Sequence, residues 1–429
     1  MKRINTIAVT IILLGSISGQ PSTKTTDHLF ANDDLIIPGA ERTDVYLPLI
    51  KNKTIAVFAN QTSLVGNSTI IDTLVKLGVN IKVIFGPEHG FRGTTDAGEK
   101  VNNFTDEKTG IKVVSLYGSK TKPSKEDLQG IDMMLFDIQD VGVRFYTYIS
   151  SLQYYMESAL ENNIPLIILD RPNPNGFYID GPVLDTAYKS FVGMQPVPVV
   201  YGMTIGEYAL MIAGENWLSA KANKKYNDYK QAEAGSGAPV HLLVIKCSNY
   251  THNSKYILPV NPSPNLTGMG SVYWYPSACF FEGTVITEGR GTDHPFEIFG
   301  HPDLPDTLFA FTPRSTQGAK EPKFKDRLCY GWNMYNADND ITIQQINNQI
   351  QLKWLLNAYR LFPDKQNFFI KPKSGNPTDY FFNKLAGSNE LMQQINEGKT
   401  ESEIRASWQD KLEAFKKIRK KYLLYPDFY

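Results

Sequence analysis

The sequence predicts an α/β fold, a Rossmann-like parallel-sheet domain followed by a smaller mixed α/β domain. Three observations carry that expectation. Short apolar runs recur between residues 54 and 170 with helix-like stretches between them, and the runs do not alternate with polar residues. Continuous apolar strands separated by helices indicate a parallel sheet covered on both faces and joined by right-handed crossovers. Beyond Ala238 the pattern changes to a Pro/Asn-rich loop, an aromatic segment and two long helical stretches.

Taken in order, Thr54–Asn60 (TIAVFAN) is a β-branched strand and Ser68–Leu77 has helical spacing ended by Gly78. Ile81–Phe85 and Lys112–Leu116 are further strands. Ser124–Gln129 is a capped helical turn, with Asp127 three residues after Ser124. Asp132–Ile138 is a buried strand, Phe145–Asn162 a helix and Pro165–Asp170 another strand. A strand-like run at Val197–Tyr201 leads into a helix at Thr204–Leu218. The first domain is therefore placed at about 35–220. The polar, Ala-rich stretch Lys221–Ala238 reads as a boundary loop, and the second domain covers 221–429 with a strand at His241–Lys246, an aromatic segment at 273–281 and helices at about 341–361 and 401–420.

Ahead of these domains, Lys2 and Arg3 precede an apolar run from Ile7 to Ile17, with small residues at Ser16, Ser18 and Gly19. That pattern is a secretory signal peptide over 1–20, followed by a polar leader over 21–34, and it predicts an exported, periplasmic protein. No later segment is apolar enough to span a membrane. The 44 basic and 44 acidic residues form no basic stripe, so nucleic acid is not an expected partner. Cys247, Cys279 and Cys329 have no metal-ligand spacing and are expected to be buried free thiols.

Ligands of open parallel sheets bind beyond the carboxyl ends of the strands. The first strand ends in Asn60-Gln61-Thr62-Ser63 where a dinucleotide fold would have a glycine fingerprint. The second ends in Gly86-Pro87-Glu88-His89-Gly90-Phe91-Arg92-Gly93, which gathers an acid, an imidazole and a guanidinium. After Ile138 come Gln139, Asp140, Arg144 and Tyr146, with Asp137 inside the apolar strand itself. After the next strand come Asp170, Arg171 and Asn173, held by prolines. The second domain adds Glu282, Thr284 and, in a Gly-rich loop, Arg290. Neither a phosphate-binding loop, a nucleophile elbow nor an H-E-x-x-H pair is present, so no cofactor or metal is expected. Carboxylates, arginines, amides and aromatics suit glycoside hydrolysis, in which one carboxylic acid protonates the leaving oxygen. Arginines there would grip a substrate carboxylate such as the lactyl group of muramic acid.

These strings resemble a bacterial family once catalogued as a domain of unknown function and now known as exo-β-N-acetylmuramidases, glycoside hydrolase family 171. Shared features are Asn60-Gln61-Thr62, Gly86–Gly93, Phe136–Tyr148, Asp170–Asn175, Gly202-Met203-Thr204, Glu282-Gly283-Thr284 and Gly289–Thr292. Lys384–Gly387, Ser407-Trp408 and Tyr422–Tyr425 extend them to the C-terminus. The resemblance implies a cleft between the two domains and release of N-acetylmuramic acid from non-reducing ends of peptidoglycan fragments, as in wall recycling. It makes Glu88 the general acid with His89 beside it. Asp137, Asp140, Glu282 or the substrate's own N-acetyl group would supply the second function. Three positions depart from the family pattern: Tyr201 in place of histidine, Val285 in place of asparagine, and His301-Pro302 in place of a small residue and proline.

Overall fold

The computed structural model describes residues 35–88, 90–91, 103–236 and 241–428. The expected signal peptide and leader lie outside these residues, as do His89 and Arg92. Among the described residues, no helix is long and apolar enough to cross a membrane.

Among the described residues up to Ile245, nine strands form: β1 (Thr54–Ala59), β2 (Leu64–Val65), β3 (Ser68–Thr69), β4 (Asn80–Gly86), β5 (Phe104–Thr105), β6 (Lys112–Ser115), β7 (Met133–Asp137), β8 (Leu166–Leu169) and β9 (Leu242–Ile245). β2 and β3 pair as a small antiparallel ribbon, and the other seven form one sheet in the order β5-β6-β4-β1-β7-β8-β9. All its pairings are parallel except β5 with β6. Without the antiparallel edge this is the Rossmann order, reversing direction between β1 and β7.

The interleaved elements are α1 (Thr43–Ile50), α2 (Ile70–Lys76), α3 (Tyr148–Glu161), α4 (Ile205–Gly214) and α5 (Ala220–Ser236). Strand side chains alternate between faces, and both faces are covered. Ile55, Val57 and Ala59 of β1 join one core with Leu135 and Ile167, while Ala56 and Phe58 join the other with Phe136 and Ile168. That two-sided burial is why the strand sequences are mostly apolar. The expected Ser124–Asp127 cap is present in both directions, Ser124 N donating to Asp127 at 2.8 Å and Asp127 N to the Ser124 hydroxyl at 3.3 Å.

The stretch expected as a boundary loop is the helix α5. Its Lys, Ala and Gln residues are good helix formers, and Ala222 and Tyr226 supply a short buried stripe. The strand expected in the second domain, β9, pairs in parallel with β8 and completes the large sheet. Val197–Tyr201 makes only isolated bridges through Val200, to Val143 and Asp180.

The remainder contains α6 (Met269–Ala278), α7 (Asn339–Ile346), α8 (Lys353–Leu361), α9 (Phe381–Ala386), α10 (Glu390–Asn396), α11 (Glu401–Ser407) and α12 (Gln409–Arg419). Strands β10 (Ile298–His301), β11 (Phe309–Phe311) and β12 (Cys329–Asn333) form a separate antiparallel sheet in the order β10-β12-β11. The two long helices expected here are each broken. Asn347 and Asn348 adopt positive φ between α7 and α8, and Trp408 separates α11 from α12. All three cysteines are free and buried.

From Ile36 onward the chain is one compact unit. Arg144 shows how its halves are tied. Its guanidinium is buried and donates to the carbonyls of Pro182 and Val197, at 2.7 and 2.8 Å, and of Leu385, at 2.6 Å. Burial lowers its pKa to about 9. The Lys384–Gly387 string thus includes an acceptor for Arg144.

Candidate active site

Glu88 stands just beyond β4, in a turn closed by Gly90 N donating to the Pro87 carbonyl at 3.0 Å. Gly90 has φ of 76°, which a Cβ would disfavour, so glycine is the residue that lets this turn project Glu88 from the sheet edge. Thr147 Oγ1 donates to Glu88 Oε2 at 3.0 Å. The Tyr117 hydroxyl also bonds Glu88. Burial, then the Glu88 charge and that hydrogen bond, raise the Tyr117 pKa, so the phenol keeps its proton and remains a donor.

Glu88 opens into a cavity of about 390 Å3 whose far wall comes from the C-terminal half. That volume falls in the range of small-ligand sites, about 300–1,000 Å3. Tyr146 and Tyr148 pack edge to face at 4.7 Å, Tyr146 meets Tyr275 at 5.8 Å, and Tyr275 meets Phe296 at 4.9 Å. Tyr146 and Tyr148 both donate to the Pro262 carbonyl, at 2.9 and 3.2 Å, which ties this wall to the loop carrying Ser263 and Asn265. Phe191, Val192 and Phe381 add apolar surface.

The C-terminal half also contributes Glu282 and Arg290, part of an ion-pair network. Arg290 NH2 donates to Glu282 at 2.7 Å while its Nε meets Glu288 at 3.0 Å. Lys323 Nζ reaches the other Glu288 oxygen at 3.1 Å. Burial raises the Glu282 carboxyl, with Arg290 opposing it. Burial acts on Glu288 as well, but Lys323 and Arg290 outweigh it and hold Glu288 low. Arg290 is flanked by Gly289 and Gly291, at φ of 83° and 82°; a Cβ on either would strike the carbonyl of Ile298 or Arg314. Phe296, on the cavity wall, holds φ of 65°, a strained conformation for an aromatic residue.

Of the residues singled out from sequence, Glu88, Tyr146, Glu282 and Arg290 meet in this cavity. The other candidates among the described residues do not line it. Asp137 is fully buried at the end of β7 in a two-pronged pair with Arg171, at 2.6 and 2.9 Å, and Arg171 also donates to the Leu64 carbonyl. Asp170 accepts from Thr204, Tyr425, Gly206 N and Arg171 N. Asn60 donates to the Tyr148 hydroxyl at 2.8 Å and accepts from Thr62, while Gln139 donates to the carbonyls of Asp140 and Pro172. Asn173 donates to the Met203 carbonyl, and the Thr284 hydroxyl donates to Phe281 O. Gln61 donates to Pro262 O and borders a separate shallow cavity. Arg144, expected to bind substrate, serves its three carbonyls instead. Asp137 and Asp140, expected in catalytic roles, are buried and do not line the cavity; Asp137 pairs with Arg171, and Asp140 accepts through one oxygen.

Asp140 accepts from Gly142 N at 2.7 Å and from the Tyr201 hydroxyl. Burial pushes the Asp140 carboxyl up to about 6, against the Tyr201 hydroxyl and the amides of Gly142 and Val141. A raised acid stabilises the fold most below about pH 4, and that contribution is lost as pH rises through 6. Asp140→Asn removes this dependence. Between pH 4 and 7, wild-type stability should fall relative to the variant by on the order of 3 kcal/mol. Equal pH profiles in chemical denaturation would contradict the buried-acid account.

Sequence reasoning missed Tyr117, Thr147, Tyr275 and Phe296. Tyr117 directly follows the run Lys112–Leu116, so the strand-end rule could have found it. Thr147 lies inside the string read after β7. Tyr275 lies inside the aromatic segment read at 273–281, whereas nothing local in the sequence marks Phe296.

The family described as exo-β-N-acetylmuramidase NamZ matches this chain twice, its N-terminal model over residues 55–269 and its C-terminal model over 273–425. The chain belongs to that family. It is a family of glycoside hydrolases, and the junction at 269–273 falls at the start of α6, later than the boundary expected near 220. The peptidoglycan β-N-acetylmuramidase NamZ of Bacillus subtilis strain 168 is 35% identical over 407 residues, 89% of each chain. Two crystal structures of DUF1343 family proteins from Bacteroides fragilis NCTC 9343 share the fold. One has a TM-score of 0.78 at 42% identity, covering 92% of this chain and 99% of its own. The other has 0.72 at 28% identity, covering 91% and 99%.

Proposed function

We propose that this exo-β-N-acetylmuramidase removes N-acetylmuramic acid from the non-reducing ends of peptidoglycan fragments, with Glu88 as general acid and Glu282 as the second carboxylate. The observation that carries the residue assignment is that Glu88 and Glu282 line the same aromatic-walled cavity, one from each half of the chain. Glycoside cleavage needs a proton on the leaving oxygen and negative charge near the anomeric carbon as it becomes positive. Glu88 is aimed by Thr147 and Tyr117, and donates to the glycosidic oxygen. Glu282 is steadied by Arg290, which Glu288 and Lys323 fix from behind, and faces the developing oxocarbenium charge.

Export, inferred from Lys2, Arg3 and the apolar run after them, would place this reaction where wall fragments are met. Fragments beginning with N-acetylmuramic acid should lose that sugar as a monosaccharide, while fragments beginning with N-acetylglucosamine should survive. Mass analysis of the products decides between this reading and a deacetylase or a binding protein. Loss of acetate, or intact fragments throughout, would contradict the proposal.

A further inference from the structure

A second cavity, of about 430 Å3, opens in the C-terminal half beside the active one. Its wall carries Tyr359, Tyr380 and Phe369 with Lys365 and Lys371. The Tyr359 and Phe369 rings are inclined at 30° with their centres 6.1 Å apart. Lys365 Nζ is 5.6 Å from the Tyr359 ring and donates to the carbonyls of Arg360 and Phe362 that end α8. Lys371 Nζ donates to the Asn367 side chain at 2.9 Å. Neither lysine has a carboxylate partner within 4.0 Å among the described residues, and the lining includes no acid. Asp364, next to Lys365 in sequence, holds the Asn367 amide instead.

The backbone joins this cavity to the active one. Tyr380 lines the second and Phe381 the first, and consecutive Cα atoms are about 3.8 Å apart. Phe369 bridges Thr284, Val285 N donates to Phe368 O at 2.9 Å, and Ile370 N donates to Gly283 O at 3.1 Å, so the strip behind Glu282 is also the wall of the second cavity.

We propose that this second cavity is a subsite for the carboxylate-bearing amino-sugar strand that trails the terminal unit held against Glu88. It rests on the exo-acting reading above, because only a terminal unit leaves the rest of the strand outside the active cavity. Lys365 and Lys371 receive carboxylates of the strand, and Tyr359 and Tyr380 offer flat apolar faces with a polar tip to its sugar rings. The lysines' charge is complementary to that of a strand with one or more carboxylates on alternate sugars.

Two substrates test this: a short aryl β-N-acetylmuramide, and a strand of several alternating N-acetylmuramic acid and N-acetylglucosamine units. Lys371→Glu should lower kcat/KM on the strand about tenfold through KM, and leave the aryl muramide within about twofold. Lys371→Arg should retain strand activity, and Tyr380→Ala should repeat the strand-selective loss. Equal loss on both substrates, or no loss on either, overturns the subsite. Wild-type failure on every muramide would sink the exo-muramidase reading separately. The subsite is then read from strand binding to Glu88→Gln, whose Kd Lys371→Glu should raise about tenfold; an unchanged Kd overturns it.

Discussion

Glu88→Gln should lower turnover of a natural disaccharide end by about 10^3-fold, with KM little changed, because general acid catalysis typically contributes about 10^2–10^4. Glutamine preserves the size of the side chain and can still accept from Thr147, so the wall should keep its shape. The informative comparison is with a dinitrophenyl muramide, whose leaving group needs no proton. Loss of a general acid should cost that substrate far less, roughly tenfold or below. Glu282→Gln should instead depress both substrates alike, since charge at the anomeric carbon develops whichever group departs. Equal losses on both substrates for Glu88→Gln would mean that Glu88 does something other than donate a proton.

Asp137→Ala should leave a chain about 3–5 kcal/mol less stable, since it strands the buried guanidinium of Arg171 without its two-pronged partner. The pair sits where β7 and β8 end, and the Ser63 hydroxyl donates to the Asp137 carbonyl from the loop after β1. The loss therefore falls on the ends of β1, β7 and β8, of which β7 leads into the cavity wall at Tyr146. Urea unfolding of wild type and variant measures it. An Asp137→Ala protein of wild-type stability that has lost turnover would restore Asp137 to a catalytic role.

The fold was legible because a sheet buried on both faces writes itself as mostly apolar runs, as in β1, β7 and β8 and in the inner parts of β4 and β6. The polar helix α5 was not, since its buried stripe amounts to Ala222 and Tyr226 and the rest resembles a linker. Breaks at Asn347 and Trp408 escaped notice because periodicity continues across them. At the site, the strand-end rule located the right edge of the sheet but could not separate walls from frame. Asp137, Asp140, Asp170 and Arg144 are as polar as Glu88 in sequence, and only packing shows that they are buried outside the cavity lining, bonded to neighbouring loops and carbonyls. Glu282 and Arg290 were readable as a polar Gly-rich string, whereas their placement opposite Glu88 depends on contacts between residues about 200 positions apart.

The most direct test of the proposed reaction is a side-by-side assay of wild-type enzyme on a chromogenic β-N-acetylmuramide and the matching β-N-acetylglucosaminide, which differ only in the lactyl ether. Rapid release of chromophore from the muramide, with little or none from the glucosaminide, is the result expected of an exo-muramidase. Comparable release from both, or release from the glucosaminide alone, would contradict it.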